Sequence, residues 1–269
     1  MPRFHFISGL PRSGSTLLSA LLRQNPRFHA NMSSPVGGMF ASMLGEMSAR
    51  NEFSVFIDDA ARQRVLRGLF DNFYADTAAD VVFDTSRGWC ARMPAIQELF
   101  AESRVIACVR DMPWIIDSIE RIIRRNMFSP SSIFNFGTGG TVYSRVNGLA
   151  SSDGMVGYAY DALREAFYGQ HARSLMLLRY ETLAAEPARA LAAVYDFIGE
   201  PAFAHDFDNV SFDAEAFDRR SGTPGLHAVR SKVEPQLRQT ILPPEVWARF
   251  EQDAFWNQSG RNPHHVRVV

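Results

Sequence analysis

Residues 9–16, GLPRSGST, hold the densest chemistry in the sequence. A glycine, four residues, a second glycine and then Ser-Thr let the backbone turn tightly, with successive N–H groups facing inward. The apolar run FHFIS (4–8) precedes the loop and a helical pattern follows it. Free N–H groups and the positive end of a helix dipole at such a junction hold an anion, and Arg12 adds a planar, permanently charged donor. In an ATP- or GTP-binding loop a lysine would reach the β- and γ-phosphates. Here Ser15 stands in that position, and the only lysine of the chain is the distant Lys232. A donor with one reactive 5′ group and a separate 3′-phosphate fits this loop better than a nucleoside triphosphate.

Any anion must be held locally, because the formal net charge of −1 gives no global attraction for nucleic acid or an anionic membrane. Hydrophobic residues at 46% and charged residues at 21% fit an ordinary globular protein with a substantial core. Cys90 and Cys108 give neither a disulfide framework nor metal-ligand spacing. No apolar run reaches the roughly 20 residues of a membrane span, and none of signal-peptide length precedes the loop. A cytoplasmic address is expected.

The loop needs a scaffold, and the pattern supplies one. Segments 4–8, 80–84, 104–109 and 174–180 read as buried strands. Helices are expected over 15–24, 36–49, 58–75, 92–101, 113–125, 154–171, 187–198 and 243–256. The alternation predicts an α/β, three-layer, P-loop-like domain covering residues 1–269, with a central parallel sheet flanked by helices. Residues 126–153 and 200–242 read as long irregular segments. The aromatics of the first, Phe128, Phe134, Phe136 and Tyr143, favour ordered packing. The tail from 259 onward is expected to be exposed.

On these residues the chain resembles the sulfotransferases that use 3′-phosphoadenosine-5′-phosphosulfate (PAPS). Their 5′-phosphosulfate loop is similar to PRSGST here, which implies donor binding by Pro11, Arg12, Ser13, Gly14, Ser15 and Thr16. The family places an arginine at the end of a later strand and a serine eight residues on, both at the 3′-phosphate. Arg110 and Ser118 match. By the same resemblance Tyr180 and Phe212 approach the adenine. RRSGTPGLH resembles the loop that closes over the 3′-phosphate, giving Arg220, Ser221 and Gly222, although the usual aspartate-tryptophan is replaced by Leu226-His227. The resemblance implies PAPS as co-substrate and a small-molecule or peptide acceptor. A sulfuryl group carries less charge than a phosphoryl group, so no metal is expected, and the net charge leaves no nucleic-acid partner expected. The ordered matches run from residue 9 to residue 227.

Sulfuryl transfer needs the acceptor in line with the leaving phosphate, fixed donors for developing charge, and a base for the acceptor's proton. Arg12 is expected to stabilise the leaving oxygens. The glutamate or histidine that the family uses as base has no counterpart in HANMSSPVGGMF or in DTSRGW. Asp84, at a strand's carboxyl end, is the first candidate for the base, with a helix cap or an ion pair to Arg87 or Arg12 as its plainer reading. His227 and Glu46 follow, and His29 reads as solvated. Met32 to Met47 and the 126–150 segment could wall an apolar acceptor pocket. A kinase-like nucleotide transferase and a non-catalytic nucleotide-binding protein remain as the rival functions.

Overall fold

The computed structural model describes residues 2–128 and 140–269; Phe134 and Phe136 lie outside the described residues. Six parallel strands form one sheet in the order β2-β3-β1-β4-β5-β6. They are β1 (Arg3–Gly9), β2 (Phe28–Ala30), β3 (Val81–Thr85), β4 (Val105–Val109), β5 (Leu175–Arg179) and β6 (Arg267–Val268). The helices are α1 (Ser15–Leu22), α2 (Val36–Glu46), α3 (Asp59–Phe73), α4 (Met93–Leu99), α5 (Met112–Arg125), α6 (Val142–Ala150), α7 (Met155–Tyr168), α8 (Tyr180–Ala185), α9 (Pro187–Ile198), α10 (Glu215–Arg220) and α11 (Pro244–Phe250). The four expected strands and eight expected helices are all present, several with shorter bounds.

Strand side chains alternate between the two faces, so each face builds its own core. Phe4, Phe6, Val82, Val105, Ala107, Leu175 and Leu177 pack with residues of α2 to α7 and α11. Ile7, Val81, Phe83, Ile106, Cys108, Met176 and Leu178 pack with α1, α8 and α9. The result is the expected three-layer α/β arrangement.

The tail differs from expectation. Val266 and Val269 are buried, and β6 pairs with β5 through Arg179 N–H to Val269 O and Val269 N–H to Leu177 O, both 2.9 Å. His29 also differs: it sits in β2, half-buried, with its ring against Tyr74. Strands of two or three residues are too short to show alternation and exist only because a longer strand offers an edge. α6, α8 and α10 were likewise not expected; α8 and α10 are six residues each.

His5, in the middle of β1, is 3% exposed. Its Nδ1 accepts the Arg104 N–H at 3.1 Å, and its Nε2 has no partner among the described residues. Burial, with Arg3 and Arg104 adding repulsion, pushes its pKa down to about 4 from 6.5. The unfolded chain therefore takes up this proton near pH 6.5, whereas the folded chain refuses it until about pH 4. The contribution to stability is full above pH 6.5 and is lost as the pH falls toward 4. Between pH 7 and 4.5 the wild type should lose about 2 to 3 kcal/mol more stability than His5→Gln. Urea unfolding of both chains at the two pH values measures this difference; equal losses would exclude it.

Candidate active site

A cleft of about 960 Å³ opens at the carboxyl ends of β1, β3, β4 and β5, where α/β sheets place their ligands. Its floor is the glycine loop. Gly9 ends β1 at φ 100°, and a Cβ there would lie 2.2 Å from the Cys108 carbonyl oxygen, so only glycine allows the strand to pass this close. Ser13 is buried and donates its hydroxyl to Cys108 O at 2.9 Å and to Leu10 O. Its side chain thus pins the loop to β4 and is turned away from the cleft. Gly14 takes φ 94°, and a Cβ there would lie 3.0 Å from the Tyr180 ring. Arg12 holds φ 58°, a left-handed conformation that is costly for a long side chain and is found where function demands it. Ser15 and Thr16 open α1 and line the cleft with Pro11, Arg12 and Gly14.

Cationic groups converge above this floor. Arg12 Nε donates to Ser118 Oγ at 3.1 Å, and its Nη1 donates to Leu226 O. Burial and the neighbouring Arg110 push the Arg12 pKa down to about 10. The Arg110 guanidinium lies 4.1 Å over the Tyr180 ring; its Nη1 reaches Arg12 O at 3.5 Å and its Nε stands 3.9 Å from Glu181. Arg110 Nε is nevertheless buried without a hydrogen-bond acceptor. Ser118 sits on the second turn of α5, whose Pro113 occupies the first turn where its missing N–H costs nothing. Arg238 joins from the far end of the chain. Asp117, buried on α5, holds it at 2.9 Å and also accepts Ile241 N–H at 2.8 Å and the Thr240 hydroxyl at 3.1 Å. Arg230 and Lys232 line the same wall, ion-paired to Glu234 (3.8 Å) and Asp208 (3.1 Å). Such a set of donors, with Arg110 Nε and Arg238 Nε and Nη2 buried without a hydrogen-bond acceptor among the described residues, suits a ligand with more than one anionic group.

His227 also faces the cleft. Asp218, buried on α10, stands with Oδ1 2.6 Å from His227 Nδ1 while its Oδ2 accepts the His227 N–H at 2.8 Å. One carboxylate therefore fixes both the backbone and the ring of the histidine. Nδ1 carries the proton, and Nε2 is left as acceptor. Burial lowers the His227 pKa; Asp218 opposes this, and Arg12 and Arg87 lower it further.

Several expected residues stand elsewhere. Asp84 is 0% exposed and does not reach the cleft. Its carboxylate accepts from the Ser34 hydroxyl (2.5 Å), the Tyr74 hydroxyl (2.7 Å) and Trp89 Nε1 (2.7 Å), not from Arg87 or Arg12. Alternation turns Asp84 toward the α2–α3 layer, so its position suits a brace and not a base. Burial, opposed by these three donors, raises its pKa. Phe212 packs at the end of α1 under Arg23, 5.3 Å from its guanidinium, and lies off the cleft. Arg220 is exposed at the end of α10. Ser221 and Gly222 form the turn that ends that helix, with Gly222 at φ 69° and its N–H on Arg219 O, and none of the three lines the cleft. Glu46 accepts from Asn51 at 3.3 Å, also off the cleft. Arg238, Arg230, Lys232 and Asp218 are cleft or support residues not expected from sequence. The signal available was the basic run VRSKVEPQLR just after the stretch that was singled out.

The family model described as Sulfotransferase family matches residues 5–205. The chain belongs to this family. Among solved structures, the sulfotransferase domain from the curacin biosynthetic pathway aligns at 20% identity and TM-score 0.54, over 94% of this chain and 91% of that one. That likeness establishes the fold. A sulfotransferase from Alicyclobacillus acidocaldarius aligns at 15% identity and TM-score 0.48, over 82% of this chain and 89% of that one. No curated protein sequence matches the chain. No helix among the described residues is long and apolar enough to cross a membrane.

Removing the brace has a measurable consequence. Asp84→Ala leaves three inward-facing donors without their acceptor and opens a small void, so stability should fall by about 3 kcal/mol or more. Denaturant unfolding checks the value. A loss below about 1 kcal/mol would mean that the three donors find partners without Asp84.

Proposed function

We propose that the chain transfers a sulfuryl group from PAPS to a hydroxyl or amine acceptor, with His227 as the base. The observation that carries this reading is the convergence of a lysine-free phosphate loop, several arginines and an Asp-held histidine on one cleft. The loop N–H groups at Ser15 and Thr16, with Arg12, would hold the 5′-phosphosulfate. Arg110, Ser118 and Arg238 would hold the 3′-phosphate; the acceptorless Arg110 Nε supports an anion there. Tyr180, capped by Arg110, offers a face for the adenine. Residues 1–269 act as one unit in this reading, because the loop, α5 and the 226–241 segment are tied together by Arg12 and Asp117.

When bound, PAPS supplies an activated sulfuryl group on a good leaving phosphate. The residues of the chain do the rest. Ser13 keeps the loop closed, so that its N–H groups are preorganised where negative charge develops. Arg12, fixed by Ser118 and Leu226 O, holds charge at the same place without reorganising. Asp218 aims His227, whose Nε2 takes the acceptor's proton as the new bond forms. The cation so formed lies beside the Asp218 carboxylate, which stabilises it.

The donor assignment predicts that Arg110→Ala and Arg238→Ala each weaken adenosine 3′,5′-bisphosphate by about 1.5 to 3 kcal/mol. Binding of 5′-AMP should change little. Calorimetry with both nucleotides tests this, and equal losses for the two would remove the 3′-phosphate assignment.

The base assignment predicts that His227→Gln lowers kcat by about 10² or more while the bisphosphate Kd stays within a few fold. Because the His227 pKa is lowered from 6.5, the neutral base persists through neutral pH. The acid limb of kcat/KM should fall below pH 6.5 and vanish in His227→Gln. A limb unchanged in the variant would assign the titration to another group.

A further inference from the structure

Arg87 sits on the opposite side of the phosphate loop from Arg110. β1 lies between β3 and β4, so Arg110 leaves the β4 side and Arg87 leaves the β3 side. The backbone around Arg87 is fixed. Ser86 N–H donates to Ile7 O at 3.0 Å, the Ser8 hydroxyl donates to Arg87 O at 3.1 Å, and Trp89 is anchored on Asp84. Its side chain is exposed and lines the cleft. Each of the other cations lining the cleft has an ion pair or a side-chain hydrogen bond. Of the described cations that line the cleft, Arg87 alone has neither, although an arginine so placed favours a carboxylate or phosphate partner. Around it the wall is largely uncharged: Met32, Ser33, Ser86, Gly88, Met155 and Tyr158. Asp153 is the one acid on this side among the described residues; it is exposed and lies beyond ion-pair distance of Arg87.

His227, Arg12 and Arg87 line the same cleft. Arg12 and Arg87 each act on it, after burial and against Asp218. An acceptor whose hydroxyl meets Nε2 would therefore have Arg87 beside the rest of its body.

We propose that Arg87 selects the acceptor: a compound that carries an anionic oxyacid group, carboxylate or phosphate, near the hydroxyl or amine that is sulfated. The guanidinium contributes a charge-assisted hydrogen bond that a neutral acceptor cannot accept as strongly. The fixed turn behind it makes the distance from that anion to the reacting atom part of the selection. This inference rests on the sulfuryl-transfer reading above.

The test separates the two. A metabolite extract is divided by anion exchange into a retained, acidic fraction and a neutral and cationic flow-through. Each is incubated with PAPS labelled in its sulfuryl group and with wild type or Arg87→Gln. Calorimetry with adenosine 3′,5′-bisphosphate runs in parallel. Wild type should label the acidic fraction at least about tenfold more than the flow-through. Arg87→Gln should lose about tenfold or more of that labelling, while the bisphosphate Kd stays within twofold. Label chiefly in the flow-through, or acidic labelling untouched in Arg87→Gln, overturns the acceptor proposal and leaves the donor reading standing. An equal loss in both fractions assigns Arg87 to the sulfuryl group and likewise overturns it. No binding of the bisphosphate, or binding without label in either fraction, overturns both readings.

Discussion

Like charges crowded into one cleft govern this structure. Arg12, Arg110 and Arg238 share one space, and burial with Arg110 depresses the Arg12 pKa to about 10. Left alone, such a cluster would spread apart. Three devices hold it. Backbone closure fixes Arg12 in a left-handed conformation between Ser118 and Leu226 O. Buried acids stand behind the cations: Asp117 holds Arg238 and the 240–241 backbone. The Tyr180 ring beneath Arg110 adds a cation–π contact. A polyanionic ligand of the kind proposed would relieve the remaining repulsion in a cleft whose donors are already held in place.

The same logic of buried carboxylates organises the walls. Asp218 spends both oxygens on His227 and so makes one residue of an irregular segment as rigid as one on a helix. Asp84 draws Ser34, Tyr74 and Trp89 together, and with them the start of α2, the end of α3 and the turn that carries Arg87. Neither Asp84 nor Ser13 faces the cleft, yet both decide where facing residues stand. Polar groups buried with every hydrogen bond made are rigid for that reason: any movement would strand a donor in a dry interior.

The strand–loop–helix junction was legible because its elements are local. Two glycines, Arg12 and the helix start fall within eight residues, and their conformations follow from steric freedom and hydrogen-bond needs that short range decides. The main strands were legible as well, since burial on both faces writes apolar runs into the sequence. Arg110 and Ser118, singled out by the family resemblance, both line the cleft, as a strand end and the helix that follows it allow. The segment after α10 was not legible in this way. Arg220-Ser221-Gly222 fits a phosphate-loop pattern, but Arg-x-Gly equally serves a helix end, and the Gly222 N–H on Arg219 O is that helix end. Arg238 is held in the cleft by Asp117, more than a hundred residues away. The direction of Asp84 depended on strand register, since one residue's shift turns a side chain to the other face. β2 and β6 needed a neighbour's edge before they could be strands at all. Sequence alone thus determined the anion cradle and the layered α/β frame; tertiary packing decided which acid braces, which histidine faces the cleft and which arginines surround it, because each of those outcomes is a long-range pairing of charges that no local pattern encodes.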